Sequence, residues 1–153
     1  MKAVLQRVTR ASVKVDGKVV GSCKEGLMIL LGVAAGDSDE DARRLAEKIC
    51  RLRIFCDENG KMNLSVKDID GEALVISQFT LMANYRHGNR PDFLESASPD
   101  EANRLYEYFV RLISEQLRHV GKGVFGAHME VELINDGPVT IVMDSEVLKK
   151  KKA

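Results

Sequence analysis

Cysteine is scarce in this chain, and its spacing argues against two common kinds of site. The 153 residues contain three cysteines, Cys23, Cys50 and Cys56, and no Cys-x-x-Cys pair. An odd count does not suggest a disulfide framework, and the missing pair does not suggest a zinc knuckle. With no partner histidine evident, Cys50 and Cys56 are expected to be structural and not nucleophilic. This usage indicates a reducing compartment, and we expect a cytoplasmic protein.

The chain also lacks an excess of charge and a long apolar segment. Lys plus Arg number 23 and Asp plus Glu number 23, so no overall positive field drives broad binding to a nucleic-acid backbone, and any RNA contact must be local. The first residues carry charge at Lys2, Arg7 and Arg10, where a secretory signal needs an apolar core. No apolar run reaches the roughly 20 residues that span a bilayer. The sequence predicts a soluble, untargeted protein that does not bind membranes.

Metal and dinucleotide motifs are missing as well. His87, His119 and His128 lie too far apart for a metal motif, and no His-Glu-x-x-His pattern occurs. Residues 121–126, GKGVFG, match Gly-x-Gly-x-x-Gly, but a helical pattern precedes them and a strand pattern follows. The nucleotide fingerprint needs the opposite order, so that helix amides face the pyrophosphate. We predict no metal and no cofactor, and interpret these glycines as flexible residues near a ligand.

What the chain does contain is the composition of one folded domain. Hydrophobic residues make up 44% and charged residues 30%, which is ordinary for a globular protein and excludes a disordered one. A chain of this length forms one compact core. We expect a domain over residues 1–148 and a lysine-rich tail over 149–153, which is either a solvated end or a contact for phosphate.

Patterns of alternating and β-branched residues predict strands near both ends. Residues 1–23 read as two or three strands with a hairpin signal at Asp16–Gly17, and the apolar runs at 26–33 and 72–77 read as buried strands. Residues 128–135 alternate, and residues 139–144 follow the Gly137–Pro138 pair. We therefore expect these last two segments to be a strand pair joined by a Gly-Pro turn.

Two amphipathic helices are expected between these strands. The first follows Ser38 and the second begins at Ser98, where Pro99 and Glu101 supply a first-turn proline and a capping-box glutamate. Apolar residues recur at helical spacing in both: Ala42, Leu45, Ala46, Ile49 and Leu52, then Leu105, Tyr106, Phe109, Leu112, Ile113 and Leu117. The fold class is α+β, a single domain whose mixed or antiparallel, barrel-like sheet carries two main helices on one side.

Two short segments are candidates for chemistry. In SQFTL, residues 77–81, a buried strand ends in polar side chains, so Ser77, Gln78 and Thr80 either line a pocket or are satisfied by water. The backbone amides of Phe79 and Thr80 could bind a developing oxyanion. In NDGPVT, residues 135–140, the Gly-Pro bond is either an ordinary trans turn or one of the few peptide bonds that are cis.

Together these segments resemble the signatures of the D-aminoacyl-tRNA deacylases, also called D-tyrosyl-tRNA deacylases. These hydrolases remove D-amino acids from charged transfer RNA, and their patterns Ser-Gln-Phe-Thr and Asn-x-Gly-Pro-x-Thr are both intact here. MKAVLQRV, RPDF, LYEYF and FGAHMEVELINDGPVT also occur in the family's order. The chain departs from the family pattern in NYRHGNR and GKGVF. These departures affect how the end of the transfer RNA is held and leave the reaction unaffected.

The resemblance implies a homodimer with active sites at the subunit interface. It implies that Gly137–Pro138 is cis, enters the pocket of the partner subunit, and is oriented by Arg7. Fixed backbone carbonyls would then exclude an L side chain, whereas glycine, with no side chain, would escape exclusion. The implied activity is hydrolysis of the ester bond of D-aminoacyl-tRNA and of mischarged glycyl-tRNA, without a metal.

The resemblance also assigns roles to single residues. Either the Thr80 hydroxyl attacks the ester, or the 2′-hydroxyl of the substrate activates water while Thr80 positions groups. We prefer the second mechanism, because the sequence offers no base to activate Thr80. Gln78 would orient substrate or water, amides at Phe79 and Thr80 would bind the oxyanion, and Ser77 would support the strand end.

Other residues are assigned to the RNA end of the substrate. Phe125 and Met129 are expected as apolar walls of an adenosine pocket, with core packing as the alternative for Met129. Arg86, Arg90 and Lys122 either contact phosphates or are solvated. Two alternatives to the deacylase remain: a noncatalytic RNA- or DNA-binding module of the same fold, and editing of another noncognate aminoacyl-tRNA.

Overall fold

The computed structural model describes residues 1–149, which form one mixed α+β domain. Within these residues the strands are β1 (Lys2–Val15), β2 (Lys18–Cys23), β3 (Gly26–Gly32), β4 (Phe55–Cys56), β5 (Met62–Leu64), β6 (Glu72–Ser77), β7 (Val120–Lys122) and β8 (Glu130–Asp144). The helices are α1 (Asp39–Arg51), α2 (Pro99–Ser114) and α3 (Ser145–Lys149), and a 3₁₀ helix spans Phe79–Met82. The predicted fold class is confirmed.

The long strand β1 lies in the middle of a six-stranded sheet: along one edge, β3 pairs with residues 2–8 of β1 and β2 pairs with residues 11–15, and β6 and β7 follow beyond β3. β8 pairs with the other edge of β1 along nearly its whole length. The pairs β3–β6 and β6–β7 are parallel and the pairs of β1 are antiparallel, so the sheet is mixed. Glycines let β2 and β7 approach closely, because a Cβ atom on Gly21 would collide with the carbonyl of Lys122. The sheet is therefore nearly closed and barrel-like.

The two faces of the sheet bury separate clusters of apolar side chains. Leu27, Ile29 and Val75 belong to the main core with the apolar sides of α1 and α2, whereas Met28 and Leu74 belong to a second cluster. Alternation along a strand places these two sets on opposite faces. The apolar runs in β3 and β6 are thus strands covered on both sides, as the sequence predicts.

The hairpin and both helix starts agree with the sequence, but one predicted helix cap does not form. The Asp16–Gly17 hairpin is present, with positive φ at both residues, and α1 begins directly after Ser38. The predicted capping box of α2 is wrong, since the Ser98 side chain makes no capping bond. The Glu101 carboxylate instead accepts a bond of 2.7 Å from Arg104 Nη2. A charged partner one turn along the helix competes successfully with the backbone amide of Ser98.

The expectation of a strand pair joined by a Gly-Pro turn is also wrong. β8 is one continuous strand, Glu130–Asp144, in which Gly137 and Pro138 interrupt the pairing without reversing the chain. Thr140 pairs with Gln6 and Asn135 pairs with Val8, so residues 136–139 bulge opposite Arg7; we call these four residues the Gly-Pro bulge. The physical reason is the length of β1, whose free edge accepts strand residues on both sides of the bulge.

The remaining sequence predictions concern the cysteines and the chain end. Cys23 and Cys50 are buried and free, and burial raises the pKa of their thiols to about 12 and about 11, which suits structural residues. Cys56 is free and exposed. Lys149, where the predicted tail begins, ends α3 and contacts Asp41, and residues 150–153 lie outside the described part. None of the helices described is long and apolar enough to cross a bilayer.

Candidate active site

A cavity of about 520 Å³ opens where β6 ends and the 3₁₀ helix begins. This volume is typical of small-molecule sites. Five of the residues predicted for the site line it: Ser77, Gln78, Phe79, Phe125 and Met129. We call it the site cavity. Thr80, the next residue after Phe79, lies just beyond the lining.

Several further residues line the same cavity, and of these only Gly126 was expected near a ligand from the sequence. They are Ile76 in β6, Val33 after β3, Ser96, Ala97, Pro99 and Ala102 before and within α2, and Gly126, Ala127, His128 and Val131 before and within β8. Gly126 agrees with the interpretation of GKGVFG as glycines near a ligand. The others carry no local signal, since only the packing of distant segments brings them to one place.

Gln78 and Thr80 form the polar end of the site. Gln78 N–H donates to the carbonyl of Leu31 at 2.8 Å, which ties the strand end to β3, and its side-chain amide donates to Thr80 Oγ1. Both residues border solvent, and Thr80 is exposed. Among the hydrogen bonds of residues 1–149, none joins Thr80 Oγ1 to a histidine or a carboxylate. The group next to the hydroxyl is therefore an amide, which is not a base.

The first backbone amides of the 3₁₀ helix have no partner inside the helix. Its first i→i+3 bond runs from Leu81 N–H to the carbonyl of Gln78 at 3.2 Å. The N–H groups of Phe79 and Thr80 precede that bond and point out of the first turn, as at any helix start. Donors in this arrangement can bind a negatively charged oxygen.

Apolar side chains form the opposite wall of the site cavity. The Phe125 ring lies 6.2 Å from the ring of Tyr106, whose hydroxyl donates to the carbonyl of Val75 at 2.8 Å. Burial raises the pKa of Tyr106 well above its usual range, so this phenol stays neutral and acts as a structural donor. Met129 is partly buried against the second cluster. Phe125 and Met129 thus both line the cavity and take part in packing.

Arg7 holds the Gly-Pro bulge from the opposite strand. Its side chain is only 10% exposed; Nε donates to the carbonyl of Asp136 at 3.0 Å, and Nη1 donates to the carbonyl of Ile54 at 2.9 Å. One guanidinium therefore joins the bulge to the chain just before β4. A buried charge is stable when its donors are satisfied in this way.

Gly137 and Pro138 form the exposed tip of the bulge, and the bond between them is cis. Gly137 has φ of +131°, and an added Cβ atom would lie 3.0 Å from Arg7 Nη2 and 2.9 Å from Val139 Cγ2. Only glycine fits here without displacing Arg7. Neither residue of the tip is among those that line the site cavity. The structure thus places the predicted site residues in two groups.

The predicted phosphate-binding residues lie in different surroundings. Arg86 and Arg90 occupy an exposed loop closed at its base by paired backbone bonds between Asn84 and Asp92, of 2.8 and 3.0 Å. Among residues 1–149, neither arginine forms an ion pair. Lys122, in contrast, contacts the Glu107 carboxylate at 2.8 Å, so its charge is already compensated.

No group of three or more potential ligands is arranged to hold a metal ion within residues 1–149. The site cavity offers hydroxyl, amide and aromatic groups and the His128 imidazole, which can form hydrogen bonds and stack with a ligand.

A family model described as D-Tyr-tRNA(Tyr) deacylase matches residues 4–144. Among curated relatives, a D-aminoacyl-tRNA deacylase of Dictyoglomus turgidum is 53% identical over 152 residues, covering 99% of this chain and 97% of that protein. A D-aminoacyl-tRNA deacylase of Caldicellulosiruptor saccharolyticus is 58% identical over 146 residues, covering 95% of this chain and 98% of that protein.

Two solved structures are similar over nearly the whole fold. The structure of a c-Myc DNA Unwinding Element Binding Protein has a TM-score of 0.89 and 41% identity, covering 94% of this chain and 98% of that one. A structure of a probable eukaryotic D-amino acid tRNA deacylase has a TM-score of 0.80 and 17% identity, covering 93% and 97%. At that identity the second similarity concerns the fold alone.

Proposed function

This chain belongs to the D-Tyr-tRNA(Tyr) deacylase family, and from that premise we propose that the site cavity beside Ser77 is where it hydrolyses D-aminoacyl-tRNA. The chain is a D-aminoacyl-tRNA deacylase, a hydrolase that acts in the proofreading of translation. The observation that carries the proposal is the pairing of Gln78 with Thr80 at the edge of the cavity, beside two backbone amides with no helical partner.

The reaction needs a positioned water and a stabilised tetrahedral oxyanion, because the aminoacyl ester is already an activated bond. We assign the oxyanion to the N–H groups of Phe79 and Thr80. Gln78 orients the substrate or water, and Ser77, the last residue of β6, supports this strand end. Hydrolysis by this arrangement requires no metal ion.

Thr80 positions groups and does not attack the ester. Its hydroxyl accepts a hydrogen bond from the Gln78 amide, and a nucleophilic hydroxyl needs instead a base that removes its proton. The 2′-hydroxyl of the terminal ribose then activates water from within the substrate.

Selection of the D enantiomer is assigned to the cis Gly137–Pro138 tip. Its backbone is held by Arg7, so its position does not adapt to the amino acid. A wall of fixed main-chain groups excludes an L side chain at the chiral carbon and places no demand on the nature of a D side chain. Glycine has no side chain to exclude, so glycyl-tRNA is a second substrate.

The tip acts in the site cavity of a second copy of the chain. It is exposed in its own subunit and does not line that subunit's cavity, which is the arrangement expected for an element that completes a partner's site. The functional unit is therefore a homodimer with its active sites at the interface, acting in the cytoplasm, where aminoacylated transfer RNA is used.

The end of the transfer RNA is held by the rest of the site. Phe125 and Met129 form apolar walls for the terminal adenosine, on which a base can stack. Arg86 and Arg90 contact backbone phosphates, because their exposed charges have no carboxylate partner within residues 1–149. Lys122 is the weaker candidate, since Glu107 compensates its charge.

A nucleic-acid-binding module is the second candidate, favoured by the similarity to a c-Myc DNA Unwinding Element Binding Protein. The balance of 23 basic and 23 acidic residues gives no broad electrostatic attraction to DNA. Editing of another noncognate aminoacyl-tRNA is the third, and its substrate would carry an L-amino acid.

The test is release of free tyrosine from D-tyrosyl-tRNA and L-tyrosyl-tRNA by the purified protein. We expect rapid release from the D substrate and a much slower, measurable enzymatic release from the L substrate. Equal release from both would refute selection by the tip. No release from either, combined with binding of a single-stranded DNA, would establish the binding module, and release from an L-aminoacyl-tRNA alone would establish the other editing activity.

A further inference from the structure

We propose that Asn135 and Thr140 are positioning residues that fix the Gly137–Pro138 tip on β8, an inference that rests on the proposed function. The two residues mark the ends of the Gly-Pro bulge. Asn135 pairs with Val8 and Thr140 pairs with Gln6, so both are anchored to β1. Between them one residue of β1 faces four residues of β8, and the ladder itself cannot define the path of those four.

The Asn135 side chain bridges the Gly-Pro bulge, using both the oxygen and the nitrogen of its amide. Its Oδ1 accepts the backbone N–H of Val139 at 3.1 Å, and its Nδ2 donates to Thr140 Oγ1 at 3.1 Å. The side chain therefore spans the bulge from its first end to its last. Few side chains other than Asn can donate and accept at this short reach.

The two flanks of the tip are then held by different residues. Arg7 binds the carbonyl of Asp136 on one flank, and Asn135 binds the amide of Val139 on the other. The Val139 side chain is buried in the main core, 8% exposed, which anchors the same flank. Gly137 and Pro138 are left as the exposed part of a four-residue segment that is fixed on both sides.

Within residues 1–149, the Asn135 side chain forms no hydrogen bonds other than those across the bulge. It does not line the site cavity. A shift of the tip by even a fraction of an ångström changes the space left beside the chiral carbon. Loss of the Asn135 amide is thus expected to change selectivity by moving the tip.

The test compares the ratio of kcat/KM for D-tyrosyl-tRNA over L-tyrosyl-tRNA in four variants. We expect the ratio to fall about tenfold in Asn135→Ala, which loses both bonds, and about threefold in Thr140→Val, which loses one. Thr140→Ser keeps the hydroxyl and should retain the wild-type ratio. Asn59→Ala is the matched control, an exposed asparagine in the turn between β4 and β5.

The ratio separates positioning from a merely structural role, because a less stable variant loses active molecules for both substrates equally. A second readout needs no activity: the amide hydrogen of Val139 should exchange with solvent faster in Asn135→Ala than in wild type. An unchanged ratio, or unchanged exchange at Val139, would overturn the inference while leaving the proposed function intact. A wild-type enzyme without preference for the D substrate would instead overturn the proposed function, and the inference with it.

Discussion

Arg7 donates to the carbonyl of Asp136 at 3.0 Å across 129 positions of sequence, and this contact joins the middle of β1 to the Gly-Pro bulge of β8. The same guanidinium reaches the carbonyl of Ile54, so three segments meet at one buried charge. A planar group with several donors can satisfy both carbonyls at once. We therefore propose that the orientation of the tip depends on Arg7 as a guanidinium and not only as a positive charge.

Replacing Arg7 with Lys tests this dependence. The ammonium keeps the charge but cannot bind both carbonyls, so we expect the free energy of unfolding to fall by about 1.5–3 kcal/mol and the D-over-L ratio of kcat/KM to fall as well. Urea unfolding and deacylation assays measure the two effects. Arg10→Lys is the control, since Arg10 is exposed and, within residues 1–149, pairs only with Glu132. A ratio in Arg7→Lys equal to that of the control would contradict the role of Arg7.

Replacing Gly137 with Ala tests the close approach at the tip. The added methyl group meets Arg7 Nη2 and Val139 Cγ2, so the tip or Arg7 must move. We expect kcat/KM for D-tyrosyl-tRNA to fall by about tenfold or more, the equivalent of about 1.4 kcal/mol. Gly60→Ala is the matched control: Gly60 also has positive φ, +75°, but nothing lies within 4 Å of the added atom. Equal activity of the two variants would mean that the close approach of Gly137 to Arg7 is not required for activity.

Three substitutions of Thr80 distinguish a positioning role from a role as the nucleophile. If Thr80 positions groups through one hydrogen bond, Thr80→Ser should be nearly as active as wild type, and Thr80→Val and Thr80→Ala should lose about tenfold in kcat. Single-turnover rates give the loss, and mass spectrometry of quenched reactions reveals any acylated protein. An acyl adduct on Thr80, or a loss of about 10⁴-fold or more in Thr80→Val, would identify a nucleophile instead.

The loop that carries Arg86 and Arg90 should contribute to binding of the RNA and not to chemistry. The double variant Arg86→Ala/Arg90→Ala is expected to raise KM for D-tyrosyl-tRNA and to reduce the slope of log KM against log salt concentration by about 2, one unit for each lost phosphate contact. Hydrolysis of D-tyrosyl-adenosine, which has no phosphate, should be unchanged. Arg51→Ala is the control, on the exposed side of α1. Equal salt slopes in the variant and the control would exclude these contacts.

Asp41 should make stability depend on acid pH. Burial alone favours its protonated form, but hydrogen bonds from Lys149, Ser38 and Ser145 outweigh burial and hold the pKa of this carboxyl well below its usual range. A depressed pKa in the folded state means that Asp41 stabilises the fold above the unfolded value of about 3.9, and that this contribution is lost as pH falls below it.

The measurement is urea unfolding of wild type and Asp41→Asn at pH 7 and pH 3. We expect the variant to be less stable by about 2 kcal/mol at pH 7, with the difference shrinking at pH 3. Glu130→Gln, an exposed carboxylate of β8, should show no such convergence. A constant difference between wild type and Asp41→Asn across this range would contradict the expected linkage.

The sequence by itself determined the elements whose signals are local. The spacing of Leu45 and Ile49 along α1 and the turn residues Asp16 and Gly17 act within a few positions, so propensity and periodicity suffice to predict them. The two motifs that begin at Ser77 and Asn135 are also local, and they carry the resemblance to the family.

Tertiary structure alone decided how those pieces combine. The continuity of β8 through Gly137 and Pro138 follows from the long free edge of β1, and no pattern inside residues 128–144 contains that information. The site cavity is lined from segments around residues 33, 77, 97 and 126, which only the packed sheet and α2 bring together. Local preferences act over one or two turns of chain, whereas a cavity or a bulge depends on partners that are distant in sequence and are chosen by burial and pairing.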